Sequence, residues 1–91
     1  MAICIVFEGP RVTKEQYQQV LNEVSPGNQM PQGMLYHVAG TPETGGFRVV
    51  EVWDSQEDAD RFFQEKLGAA LQRASINVQP QVFPVHNIMK P

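Results

Sequence analysis

Ninety-one residues leave room for one small domain and none for a second core joined by a linker, so residues 1–91 read as a single domain. Hydrophobic residues at 42% and charged residues at 19% exclude a disordered, collagen-like or low-complexity chain. Seven basic against ten acidic side chains give a net charge of -3, and the basic ones are scattered without a stripe, so no nucleic-acid partner is expected.

Residues 2–7 form an Ile/Val/Phe-rich run ended by Gly9-Pro10, which predicts a strand. The run is too short to span a bilayer and has no basic segment before it, so neither a membrane anchor nor a signal peptide is expected. Cys4 is the single cysteine; no intrachain disulfide can form, which suits a reducing cytoplasm. Thr13 with Gln16 three residues on makes a capping box, and Tyr17, Val20, Leu21 and Val24 follow at helical spacing until Ser25-Pro26-Gly27. A loop over 28–33 leads to a second strand over 34–39. The turn-rich stretch 40–46 and the clear strand 47–53 then complete a hairpin.

Ser55 and Asp58 open a second helix, with Glu57, Asp58 and Asp60 in or near its first turn, where the helix dipole favours negative charge. Its apolar stripe runs through Ala59, Phe62, Phe63, Leu67, Ala70, Leu71 and Ala74, interrupted by Gly68. The last apolar stretch, 78–88, contains Pro80 and Pro84, which cannot donate to a ladder and predict an edge strand.

The order βαββαβ predicts a ferredoxin-like α+β fold: a four-stranded antiparallel sheet in order 4-1-3-2 with two helices on one face. Strands one and three carry apolar side chains on both faces, and two helices cover one face only. The other face measures on the order of 400 Å² in projection, which corresponds to about 10 kcal/mol of gross burial. The predicted partner is therefore a second copy, giving a homodimer through the sheet face.

With the hairpin loop centred near Glu43, His37 falls opposite Val49 and Leu35 opposite Glu51. His37, Glu51 and Trp53 then share one sheet face with Leu35, Ala39 and Phe47. An imidazole beside a carboxylate is suited to general-base work, and an indole offers a flat wall for an aromatic substrate. The same three residues can equally be a hydrogen-bonded histidine, a paired acid and a core tryptophan. Phe62 and Tyr17 lie on helix stripes, as core or as pocket lining. Arg48 either anchors an anionic substrate or pairs with a carboxylate, and His86-Asn87 either lines the same cleft or makes an edge or dimer contact. No H-x-H or H-x-x-x-H spacing occurs, so no metal is expected, and no phosphate loop or dinucleotide fingerprint implies a cofactor. The RNA-binding version of the topology needs two stacking aromatics on its third strand, whereas the matching stretch 45–52 has one aromatic and an acid on the same face.

The blocks Gly33-Met34-Leu35-Tyr36-His37-Val38-Ala39-Gly40 and Gly45-Gly46-Phe47-Arg48-Val49-Val50-Glu51-Val52-Trp53-Asp54-Ser55, the stretch 62–71 and the ending Phe83-Pro84-Val85-His86-Asn87-Ile88 resemble small bacterial proteins of the dimeric α/β-barrel superfamily. These are similar at a distance to the antibiotic biosynthesis monooxygenases. The resemblance covers nearly the whole chain and implies a ferredoxin-like dimer whose site lies in a cleft between helices and sheet. Cofactor-free oxygenation of an aromatic or polyketide-like molecule is the activity expected with it, and the residues read above would supply the parts: His37 and Glu51 as catalytic groups, with Trp53, Phe62, Tyr17, Arg48, His86 and Asn87 around the substrate. A non-catalytic small-molecule-binding or stress-related dimer of the same fold is the alternative, because the superfamily hosts many functions. Trp53 matches the tryptophan of haem-degrading members, but strand one lacks their asparagine and helix two their histidine.

Overall fold

A computed structural model describes all of residues 1–91. The elements follow in the order β1 (Ile3–Gly9), α1 (Lys14–Val24), a 3₁₀ turn (Pro26–Asn28), β2 (Met34–Gly40), β3 (Phe47–Trp53), α2 (Gln56–Phe62), a π-helical segment (Phe63–Leu67), α3 (Gly68–Arg73) and β4 (Gln81–Pro84). This is the expected ferredoxin-like α+β arrangement. The sheet order is β2-β3-β1-β4, with every pair antiparallel, so the two most apolar strands are central.

Local signals place the helices. The Thr13 hydroxyl accepts from the Gln16 N–H at 3.0 Å, and the Gln16 side-chain oxygen accepts from the Thr13 N–H at 2.9 Å, satisfying two donors at the start of α1. The Ser55 hydroxyl accepts from the Asp58 N–H at 3.2 Å and starts α2. From α2 to α3 the helix is continuous, but the π-helical segment inserts one residue. The buried side of the stripe steps five residues, from Phe62 to Leu67, and an uninterrupted α-helix would bring Lys66 inward instead. Phe63, expected on the stripe, is therefore turned outward and 46% exposed.

The β2–β3 register corrects the expected one. His37 stands opposite Glu51 and Ala39 opposite Val49, so the hairpin is centred on Thr44. The displacement is two residues, which leaves His37 on its expected face, because side chains alternate with period two. Leu35 does change surroundings. A bulge between Met34 and Tyr36 puts Met34 opposite Trp53 and leaves Leu35 outside the ladder and exposed. At the other end of the hairpin, Gly46 adopts a φ of 75°, and a Cβ there would strike the Gly9 carbonyl oxygen.

Between helices and sheet, Ile3, Ile5, Met34, Trp53 and Ala59 form one buried cluster and Val20, Ala70 and Ala74 another, each enlarged by partly buried neighbours. The fourth strand is shorter than expected: Pro80 precedes it and Pro84 ends it. Beyond it the Val85 N–H donates to the Ala2 carbonyl, and the Lys90 ammonium lies 5.7 Å from the centre of the Tyr36 ring. The terminal segment thus runs from the β4 edge to the β2 edge over the face that the helices leave open.

Candidate functional site

The side chains that β1, β2 and β3 turn toward the helices do not all meet helix atoms. A cavity of about 510 Å³ separates α1 and the π-helical segment from the sheet, within the ~300–1,000 Å³ range of small-molecule sites. Phe7, Val49 and Phe47 form its floor, and Val20, Leu21, Leu67 and Leu71 form its helical wall. Its ionisable groups, Tyr17, His37 and Glu51, gather where α1 crosses the β2–β3 pair, while Ser25, Asn28 and Gln29 line it beyond the end of α1.

There the Tyr17 hydroxyl lies 2.8 Å from His37 Nε2, His37 Nδ1 lies 3.1 Å from Glu51 Oε2, and the Trp53 indole N–H donates to Glu51 Oε1 at 3.1 Å. Cross-strand pairing accounts for the middle contact, since His37 and Glu51 are register partners on one face. Trp53, two residues along β3, points the same way as Glu51. Glu51 is 5% exposed and Trp53 1%, so this carboxylate is held by two side-chain N–H donors away from water. No buried side-chain polar atom lacks a partner. Burial, and then the Glu51 charge, push the Tyr17 phenol above its ordinary value of 10.0, keeping it protonated at neutral pH.

Tyr17, His37, Glu51 and Phe62 all line the cavity. Trp53 stands behind its wall, packed on Phe62 with ring centres 5.5 Å apart. Arg48 lies on the opposite sheet face and pairs with Glu8 at 2.9 Å, both about half exposed. His86 and Asn87 are exposed beyond β4 and do not line the cavity. No Lys or Arg is among the lining residues, and no three His, Cys, Asp or Glu side chains converge anywhere in the chain.

Sequence reasoning missed the rim. Asn28, Gln29, Met30 and Pro31 from the loop after α1, with Val12 and Val78, close the sides of the cavity. Their one sequence signal is the apolar Met30-Pro31 inside an otherwise polar loop, which periodicity does not detect.

No protein-family model matches the chain, and no curated protein matches it in sequence. Solved structures share its fold. An antibiotic-biosynthesis-monooxygenase-like protein from Chloroflexus aurantiacus J-10-fl superposes with a TM-score of 0.70 at 14% identity, covering 99% of this chain and 98% of that one. SnoaB, a cofactor-independent oxygenase from Streptomyces nogalater, gives 0.66 at 8% identity over 99% and 96%. The hydroxynitrile lyase of Passiflora edulis gives 0.62 at 12% identity over 98% and 96%. At these identities the likeness is one of fold.

Proposed function

We propose that residues 1–91 form one domain of a homodimer whose cavity binds a neutral aromatic or polyketide-like molecule, and that His37, oriented by Glu51, removes a proton from it for cofactor-free monooxygenation. The observation that carries this reading is the His37–Glu51 pair set in the wall of a mostly apolar cavity. The fold likeness to a cofactor-independent oxygenase supports the reaction class.

In such a reaction an activated CH₂ beside an electron-rich ring loses a proton, and His37 is the base that finally holds it. The carbanion adds to dioxygen, takes a proton back as the hydroperoxide, and loses water to leave a carbonyl. A positioned general base supplies on the order of 10²–10⁴ in rate. Oxygen uptake with anthrones or hydroquinones should therefore appear in the wild type and drop by about that factor in His37→Ala. A His37→Ala variant that folds and dimerises but keeps full uptake would remove His37 from the chemistry.

A second reading is favoured by one specific feature. Both ring nitrogens of His37 already have partners inside the protein, as in a purely structural histidine. If the wild type binds a phenol panel without consuming oxygen, the chain is a small-molecule-binding protein of the same fold.

The homodimer rests on the open sheet face, where Val38 is 64% and Phe83 49% exposed and Val6, Val50 and Val52 are half-buried. The single free thiol, buried at Cys4, supports the cytoplasm as its location.

A further inference from the structure

We propose that Tyr17 is the group a ligand meets in this cavity, and that it relays the hydroxyl proton of a neutral phenol to His37. The inference rests on the cavity reading above and names the ligand chemistry that the site selects.

A carboxylate accepts only, so Glu51 fixes the hydrogens around it: the Trp53 N–H on Oε1 and the His37 Nδ1–H on Oε2. In the neutral imidazole Nε2 is then a lone pair, and the Tyr17 hydroxyl 2.8 Å away donates to it. His37 has no free nitrogen left to take a proton directly from a ligand. The Tyr17 oxygen is different: it donates once and retains acceptor capacity, and its side chain lines the cavity. The edge of Phe47 meets the Tyr17 ring at 4.9 Å and 89°, and the imidazole lies at 27° to it, so the phenol is clamped between fixed neighbours.

A ligand hydroxyl that donates to the Tyr17 oxygen completes a chain from ligand through Tyr17 to His37. The ligand O–H bond breaks as a new O–H forms on Tyr17. The original Tyr17 O–H breaks as an N–H forms on Nε2. The ligand is left as an oxyanion, Tyr17 is again a neutral phenol, and the His37 imidazolium is held by Glu51. Tyr17 never has to ionise, which agrees with its surroundings favouring the protonated form. A ligand that only accepts obtains no such chain, because drawing the Tyr17 hydrogen to itself would leave Nε2 without its donor. Anionic ligands are disfavoured as well: no Lys or Arg lines the cavity, and its one carboxylate is Glu51.

The test uses 4-chlorophenol and 4-chloroanisole, which share a ring and differ in a hydroxyl against a methoxy group, at about pH 7.5, where a phenol of ordinary acidity is un-ionised and an ordinary imidazole is neutral. Isothermal titration should show the wild type binding the phenol at least about tenfold more tightly. In Tyr17→Phe, with its fold verified by circular dichroism, the preference should largely vanish. Equal wild-type affinity for the two probes, failure to bind either at millimolar concentration, or an undiminished preference in Tyr17→Phe would each overturn the proposal. Oxygen uptake separates this inference from the reading beneath it. A Tyr17-dependent phenol preference without uptake supports the docking and relay geometry while removing the oxygenase, whereas uptake unchanged in Tyr17→Phe overturns the relay and leaves the oxygenase standing.

Discussion

Trp53 shows how one side chain can serve packing and polarity together. Its ring fills the main buried cluster against Phe62, and its N–H satisfies one oxygen of a buried carboxylate. Trp53→Ala should cost about 3–5 kcal/mol in urea unfolding. Trp53→Phe should still lose about 1–3 kcal/mol, because Glu51 Oε1 would be left unpaired. Tyr17 gives a second prediction at this scale, through pH. Its folded-state pKa is raised, so at alkaline pH the folded protein holds a proton that the unfolded chain has lost. The associated stability is complete below about pH 10 and is lost as pH rises above the ordinary value of 10.0 toward the folded one. Cys4, raised by burial from 9.0, has the same sign. Chemical denaturation between pH 8 and pH 11 should therefore show a shallower alkaline decline in Tyr17→Phe than in the wild type; parallel slopes would contradict the assignment.

Among the elements, the helix after β3 has a face set by an insertion. The π-helical segment brings Leu67 and Leu71 to the cavity, although a straight α-helix starting from Ser55 would not. Deleting the exposed Phe63 should convert the segment to α-helix while the stripe stays inward, since the spacing from Phe62 to the residue that is now Leu67 would fall from five to four. The deletion should keep the native circular dichroism and lower stability by no more than about 1 kcal/mol. Deleting Gln18 from α1 is the contrasting case. No insertion is present there to absorb it, so Val20, Leu21 and Val24 would rotate by ~100° and the fold should fail. Equal damage from the two deletions would contradict this account of the π-helical segment.

For the whole molecule the open sheet face is the main issue. It is apolar enough to need covering, and residues 85–91 reach across its Phe83–Tyr36 end. Val38 lies beyond that strap and is the most exposed of the large apolar side chains that the strands place on this face. Val38→Lys should weaken self-association by at least about tenfold in sedimentation, while leaving the thermal midpoint of the monomer nearly unchanged. A wild-type mass that stays monomeric and independent of concentration at low micromolar protein would rule out the homodimer.

The order of elements and the face of each strand residue were legible from alternation and capping, because period-two and period-3.6 patterns and caps such as Thr13 with Gln16 are local. For that reason His37, Glu51 and Trp53 could be grouped on one face even with the hairpin register displaced by two. The register itself, the bulge at Leu35 and the extra residue near Phe63 depend on how a turn-rich loop closes and how distant surfaces fit, and no local pattern records them. Tertiary structure also decided what the grouped residues do to one another. It carried Tyr17 from α1 to His37, set Trp53 behind the wall as a donor to Glu51, and left Arg48, His86 and Asn87 away from the cavity. Local periodicity tells which way a side chain points, whereas only the packing of remote segments determines what it meets there.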